Sequence, residues 1–242
     1  MQTGKLEQAI GHHFKDASLL ERALTHRSWA YENVPDGDES AVHTTENEST
    51  EFLGDSVLGL AIAEELFKAN PGASEGDLTL MKHRLVSTAT LAGLADSIDL
   101  GQFVRVGRGE EKTGGRKKRA FLANSMEAVI GAVFLDGGYI AARAMVGRLF
   151  ADQLKKVTPD NSIDHKTLLQ ELLQSRKMHA PIYKIVHTDG PPHARTFSVE
   201  ATWETGSSNG VGDSIKAAEM QAAAAALADL RSADVQNEKR TK

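Results

Sequence analysis

The spacing of apolar residues changes once along this chain, and the change limits the folds that are open to it. Residues 5–139 carry apolar side chains mostly at helical spacing, whereas residues 182–186 and 196–203 alternate apolar and polar positions as β-strands do. A polar segment with a proline, residues 156–163, separates the two patterns. We therefore predict an all-α domain followed by a small α+β domain.

The length of the chain agrees with this division, because 242 residues exceed the usual domain size of about 100 to 200 residues. The pattern predicts a helical domain at 5–155, a linker at 156–163, an α+β domain at 164–232 and a flexible charged tail at 233–242. In the α+β domain, helices at both ends are expected to pack on one face of an antiparallel sheet.

The composition indicates a protein of the cytoplasm. The first residues lack the apolar run of a secretory signal, and we expect no segment long enough to span a bilayer. Cysteine is absent, which excludes disulfides and cysteine-bound zinc and fits a reducing compartment. The formal net charge of −5 works against general attraction to nucleic acid, so such a partner must be held by local basic patches.

Acidic residues cluster on one predicted helix. Glu48, Glu51 and Asp55 are spaced by three and four residues, which places them on one helical face. Like charges at this spacing destabilise a helix, and the flanking apolar residues predict that the helix is mostly buried. We expect a positive group or ion to offset these charges.

A second acid, Glu127, lies within the almost uninterrupted apolar run 121–135, where a lone buried carboxylate would be costly. Asn124 lies three residues earlier on the same face. A Mg²⁺ site would explain both acidic helices, since this ion binds carboxylate and amide oxygens. The spacing alone also fits a solvated acidic face. A carboxylate-bridged di-iron bundle is a third reading, which the absence of any Glu-x-x-His disfavours.

Five motifs, in this order along the chain, resemble those of the ribonuclease III family. They are Leu24-Thr-His-Arg-Ser-Trp29, Glu51-Phe-Leu-Gly-Asp-Ser-Val-Leu-Gly59, Glu75-Gly-Asp-Leu78, Gly114-Gly-Arg-Lys117 and Glu127-Ala-Val-Ile-Gly-Ala-Val-Phe-Leu-Asp-Gly-Gly138. The resemblance extends over almost the whole chain and implies a homodimeric, Mg²⁺-dependent endonuclease, with Mn²⁺ able to substitute. The implied substrate is double-stranded RNA, including rRNA, mRNA and tRNA precursors, and not DNA.

The resemblance also implies roles for individual residues. Asp55 and Glu127 would be catalytic, and Glu51, Asn124 and Glu127 would bind the metal. Glu48 and Glu75 would be supporting acids. The implied products carry 5′-phosphates, 3′-hydroxyls and short 3′ overhangs.

Asn124 departs from the family pattern, because an aspartate is common at this position. Ser49 and Thr50 also depart from it, since the family usually has a basic and an apolar residue there. Asn124 keeps a second hypothesis open, in which the protein holds double-stranded RNA without cutting it and the nuclease domain serves as a dimerisation scaffold.

The last third of the chain resembles a double-stranded-RNA-binding domain, with the order α-β-β-β-α. The similar segments are 164–174, 190–197 and 210–219. Such domains contact phosphates and 2′-hydroxyls rather than base edges. The resemblance places the RNA contacts at Thr167, Gln170, Glu171, Gln174, His193, Ser214 and Lys216.

Overall fold

The computed structural model describes residues 3–35, 38–191 and 194–240. They form two compact units, one that ends at Ser162 and one that begins at Ile163. The first unit is helical. Its helices are α1 (Gly4–Ile10), α2 (Ala17–Ala23), α3 (Arg27–Asn33), α4 (Glu39–Thr45), α5 (Glu48–Ala69), α6 (Glu75–Leu85), α7 (Thr88–Ser97), α8 (Arg108–Lys112), α9 (Arg119–Leu149), α10 (Ala151–Lys156) and α11 (Pro159–Ser162).

The two longest helices of this unit, α5 and α9, pack along each other, and two glycines set how closely they approach. A Cβ atom at Gly54 would lie 1.8 Å from the carbonyl oxygen of Glu127, and one at Gly131 would lie 2.3 Å from that of Thr50. Both distances are far below van der Waals contact, so no larger residue fits without moving a backbone. The helices therefore touch backbone to backbone beside the acidic residues.

Helix α9 forms the centre of the helical core. It is long and apolar enough to span a membrane by length and composition, so the expectation that no segment reaches such a length was wrong. The helix is interrupted at Gly138, where φ is 74°. Its apolar side chains are used inside the protein, since residues such as Met126, Ile130 and Val133 are fully buried.

The second unit has a helix at each end of a three-stranded sheet. The elements are α12 (His165–Ser175), β1 (Ile182–Asp189), β2 (Thr196–Trp203), β3 (Gly206–Gly212) and α13 (Ile215–Arg240). Both strand pairs are antiparallel, in the order β1-β2-β3, with an irregularity between Ile185 and His187. Leucines of α12 pack against alanines and leucines of α13. The predicted combination of an all-α domain and an α-β-β-β-α domain is confirmed.

Two parts of the second unit differ from what the residue pattern indicated. The third strand contains three glycines and two serines and has no apolar alternation, so only the family resemblance predicted it. Its strand form comes from pairing with β2. The last helix continues through residues 233–240, where the sequence predicts a tail. That segment contains neither glycine nor proline that would end a helix.

Candidate active site

The contact between α5 and α9 brings the predicted site residues together. Glu48, Glu51 and Asp55 come from the first turns of α5, and Asn124 and Glu127 come from α9. A pocket of about 330 Å³ lies at this contact, lined by His26, Asn47, Glu48, Glu51, Phe121, Asn124 and Ser125. Glu127 lies close enough to Asp55 and Glu51 for their charges to act on it.

The two metal-ligand candidates on the pocket wall are joined directly. The side-chain amide of Asn124 hydrogen-bonds to the carboxylate of Glu51. A carboxylate accepts, so the amide nitrogen of Asn124 is the donor and its carbonyl oxygen remains available. This bond stabilises the charged form of Glu51.

The acids at this contact resist full ionisation. Burial, and then the negative charges of Asp55 and Glu51, raise the pKa of Glu127 to about 7. Burial also raises the pKa of Glu51, with smaller contributions from the charges of Glu48, Glu46 and Asp55, against the opposing bond from Asn124. Such a set binds either protons or a cation.

The donor atoms fit a hard divalent cation better than a softer metal that prefers sulfur or imidazole ligands. Within the described ranges, no three His, Asp or Glu side chains are gathered closely enough to hold one ion. The available ligands are the carboxylates of Glu51 and Glu127 and the amide oxygen of Asn124. An incomplete set of oxygen ligands suits Mg²⁺, which keeps several of its waters.

The start of α5 is fixed by residues that the sequence reasoning did not identify. The buried carboxylate of Glu46 accepts the backbone N–H of Glu48 at 2.8 Å. Arg22 donates to the carbonyl oxygen of Glu46 at 3.1 Å and to the hydroxyl of Ser49 at 2.7 Å. Ser49, one of the departures from the family pattern, thus helps to anchor the helix that carries the acids.

Glu48 has a cationic neighbour, whereas Glu75 lies elsewhere. Arg27 Nη1 lies 3.3 Å from Glu48 Oε1, and its Nη2 donates to the hydroxyl of Tyr31 at 2.9 Å. Glu75 is exposed at the start of α6 and lines a separate groove with Leu66 and other residues of the second half of α5. Ala63 is the groove residue of α5 nearest to the acids, and eight residues separate it from Asp55, or about 12 Å of helix. The structure therefore does not bring Glu75 to the acids of its own chain.

The basic run 116–119 is largely engaged within the helical unit. Arg116 bonds to Glu111 at 2.6 Å, Lys118 bonds to Glu110 at 2.8 Å, and Arg119 donates to the carbonyl oxygen of Ala89 at 2.6 Å. These contacts favour a structural role for the run.

Most of the predicted RNA contacts of the second unit lie on α12 or at the start of α13. Thr167, Gln170, Glu171 and Gln174 are all exposed on α12. Thr167 and Gln170 line a cleft of about 600 Å³ together with Lys216 at the start of α13. The hydroxyl of Ser214 accepts the N–H of Ala217 at 3.2 Å and so caps that helix. His193 lies outside the described residues.

Lys166 lines the same cleft, but its charge is already neutralised. It is paired with Glu219 and lies over the ring of Tyr183, with its nitrogen 4.5 Å from the ring centre. Lys216 has no such partner among the residues that the structure describes. It is therefore the cation of this cleft that is available to phosphate.

Known proteins resemble both units. Residues 16–154 match the family model described as ribonuclease-III-like, and residues 165–230 match the double-stranded RNA binding motif. The chain is 44% identical over 225 residues to a protein of Magnetococcus marinus named Ribonuclease 3, covering 92% of this chain and 91% of the relative. It is 43% identical over 228 residues to one of Nitratidesulfovibrio vulgaris with the same name, covering 93% and 87%.

Solved structures agree for the helical unit. A crystal structure of the nuclease domain of ribonuclease III from Campylobacter jejuni is similar with a TM-score of 0.57 and 36% identity, covering 64% of this chain and 98% of that one. A second structure of the same domain, described in terms of flexibility in the region of dimer formation, has a TM-score of 0.56 and 37% identity, covering 63% and 98%.

Proposed function

Because the chain belongs to the ribonuclease III family of double-stranded-RNA endonucleases, we propose that it cuts RNA duplexes in a Mg²⁺-dependent hydrolysis, with Mn²⁺ able to substitute. The products would carry 5′-phosphates, 3′-hydroxyls and short 3′ overhangs. The observation that carries the proposal is the meeting of Glu51, Asp55, Asn124 and Glu127 where α5 touches α9, with the pKa of Glu127 raised to about 7.

The proposal assigns distinct tasks to these side chains. Glu51, Asn124 and Glu127 would hold the metal, and Asp55, which is exposed one turn beyond Glu51, would exchange protons with the reacting oxygens. Glu48 would support them from the rim. When bound, the divalent ion lowers the pKa of a coordinated water and stabilises charge on the leaving oxygen.

The second unit would bring the substrate. Thr167, Gln170, Glu171 and Gln174 would follow one minor groove. Ser214 and Lys216 lie at a helix start, where backbone N–H groups would favour phosphate. His193 is proposed as a further contact on the resemblance alone. Since such domains read 2′-hydroxyls, duplex DNA would be spared.

We also propose the setting in which the protein acts. The proposed domains are a nuclease domain at 5–155, a linker at 156–163, an RNA-binding domain at 164–232 and a charged tail at 233–242, whose residues up to Arg240 continue the last helix. The protein would be a cytoplasmic homodimer without a membrane partner, acting on rRNA, mRNA and tRNA precursors. The two active sites of the dimer would cut opposite strands of one duplex.

A second candidate function rests on Asn124. With one carboxylate fewer than the common family pattern, the protein could bind RNA duplexes without cutting them. One experiment separates the candidates: a long perfect RNA duplex is incubated with the protein and Mg²⁺, and the fragment ends are mapped. Fragments with 5′-phosphates support the nuclease, whereas binding without fragments supports the alternative. Equal cleavage of a DNA duplex would contradict both.

A further inference from the structure

His26 is held in a single orientation beside the pocket. Its backbone N–H donates to the carbonyl oxygen of Arg105 at 3.0 Å. Its side-chain Nδ1 accepts the backbone N–H of Ser28 at 3.2 Å, which caps the first turn of α3. Its ring packs against Phe121, with the ring centres 5.0 Å apart. Backbone, cap and ring contact together leave the imidazole little freedom to turn.

The hydrogen bonds also assign the proton on this ring. A backbone N–H can only donate, so Nδ1 is the acceptor and carries no proton. The Ser28 hydroxyl lies 2.8 Å from Nδ1 and accepts the N–H of Gly107 at 2.9 Å. Because Nδ1 carries no proton, the hydroxyl is the donor in its contact with Nδ1. The neutral imidazole therefore carries its proton on Nε2. Burial lowers the pKa of His26, which favours this neutral form.

Nε2 is the polar atom that His26 can offer to the pocket, because Nδ1 is turned towards Ser28. His26 lines this pocket together with Glu48, Glu51 and Asn124. In residues 3–35, 38–191 and 194–240, nothing accepts a hydrogen bond from Nε2. The wall of the pocket thus carries an oriented imidazole whose Nε2–H is available to an acceptor from outside the chain.

The chemistry of the pocket indicates which acceptor this is. A lysine at this place would pair with the carboxylates and compete with a cation for them. A neutral N–H leaves the carboxylates free and still bonds to an anionic oxygen, and hydrogen bonds to charged acceptors are the stronger ones. The proposed substrate supplies such oxygens at every phosphate.

We propose that His26 contacts the substrate directly, its Nε2–H donating a hydrogen bond to a phosphate oxygen of the RNA strand that is cut. The proposal rests on the nuclease function proposed above. No proton is transferred: the bond orients the phosphate against the acids and stabilises its negative charge.

Two substitutions separate this role from the capping role of the same side chain. In His26→Asn the amide oxygen takes the place of Nδ1, and asparagine is a preferred helix cap, but no donor reaches the position of Nε2. In His26→Gln the longer side chain brings an amide N–H close to that position, but the acceptor for Ser28 is lost. Each variant keeps one of these two hydrogen-bonding roles and removes the other, and both remove the ring contact with Phe121.

Three measurements on the full chain test the proposal: the single-turnover cleavage rate of an RNA duplex in Mg²⁺ at saturating protein, the affinity for the same duplex in Ca²⁺, and the midpoint of thermal unfolding. Both variants lose the ring contact with Phe121, so their midpoints are compared with each other. His26→Asn should keep the wild-type affinity but cleave about 10- to 100-fold more slowly than wild type. His26→Gln, which also loses the cap, should unfold about 2 to 4 °C lower than His26→Asn. It should cleave within about fivefold of wild type at 25 °C, because it keeps the hydrogen bond to the phosphate.

Wild-type cleavage by His26→Asn would overturn the proposal, because the cap alone would then be sufficient. Equal slowing of both variants would also overturn it, since the donor at the Nε2 position would not set the rate. A midpoint for His26→Asn below that of His26→Gln would assign the slow cleavage to lost structure instead. Failure of the nuclease function itself is recognised separately, as a wild-type protein that binds the duplex and leaves it intact.

Discussion

The amide of Asn124 donates a hydrogen bond to the carboxylate of Glu51 across the contact between α5 and α9. An aspartate at position 124 could not make this bond and would place a second negative charge beside the first. The residue that departs from the family pattern therefore stabilises the ionised form of its neighbour in the absence of a cation. The site consequently has one negative charge fewer with which to bind that cation.

The first prediction concerns this residue. Asn124→Asp should lower the Mg²⁺ concentration for half-maximal cleavage by about tenfold, because one added charge beside a divalent ion matters by at least about 1 kcal/mol in a partly buried site. Magnesium titrations of both proteins measure the change. If the wild type binds RNA without cutting and Asn124→Asp cuts, the second candidate function is correct. Identical curves would show that residue 124 does not contact the metal.

The second prediction concerns pH and stability without metal. Burial and the neighbouring acids raise the pKa of Glu127 from its ordinary range to about 7 in the folded protein, so folding favours its protonated form. Its contribution to stability is complete below the unfolded pKa and is lost as the pH rises through about 7. In EDTA, Glu127→Gln should therefore unfold at a higher temperature than wild type at pH 8, and the difference should shrink towards pH 5.

The same variant tests the metal site. Glu127→Gln should cleave roughly 100-fold more slowly or worse in Mg²⁺, since even groups behind a metal ligand change affinity or activity by about 10- to 100-fold. Its affinity for an RNA duplex in Ca²⁺ should stay close to wild type. Mg²⁺ should also raise the unfolding temperature of wild type at pH 8 more than that of the variant. Normal cleavage by the variant would mean that the metal site is misplaced.

The third prediction concerns the close approach of the two helices. Gly54→Ala should destabilise the protein by roughly 1 to 3 kcal/mol or more, because its Cβ would lie 1.8 Å from the carbonyl oxygen of Glu127. Gly59→Ala, on the same helix, is the control: its Cβ would meet the Lys82 side chain at an ordinary 3.6 Å. Alanine is the better helix former, so Gly59→Ala should be neutral or stabilising. Chemical denaturation compares the two, and equal effects would contradict the packing argument.

The fourth prediction separates RNA binding from cleavage chemistry. Lys216→Ala should weaken duplex RNA binding and reduce the salt slope by about one unit. Lys184→Ala removes the same charge from the other face of the sheet, since its neighbour Tyr183 packs towards the helices. Binding isotherms at several salt concentrations should show the loss for Lys216→Ala alone. A matching loss in Lys184→Ala would indicate only a change in net charge.

The fifth prediction concerns assembly. Phe52 lies beside the acidic face of α5 with 77% of its surface exposed, which is unusual for so large an apolar side chain. We predict that it belongs to a two-fold interface and that Phe52→Asp shifts a dimer to monomers in sedimentation. Ser56→Asp, one turn further along the exposed surface, is the control for added charge. A wild-type monomer at micromolar concentration would contradict the prediction.

Local spacing in the sequence was sufficient for much of the molecule. Periods of 3.6 and 2 residues record which face of a helix or strand is buried, so the change from helices to an α+β unit was visible. The shared face of Glu48, Glu51 and Asp55 follows from the same geometry. Long motifs such as Glu51–Gly59 carried the family resemblance and, with it, the third strand that the residue pattern did not indicate.

Only the tertiary structure decided which distant residues meet. The raised pKa of Glu127, its proximity to Asp55 and the bond from Asn124 to Glu51 depend on how α5 is aligned with α9, which Gly54 and its counterpart Gly131 permit. Packing also places His26 on the wall of the pocket and keeps Glu75 away from it. Periodicity indicates which face of each element is buried. It does not indicate which neighbouring element that face packs against, or in what register. Those are settled by contacts between residues that lie tens of positions apart in the chain.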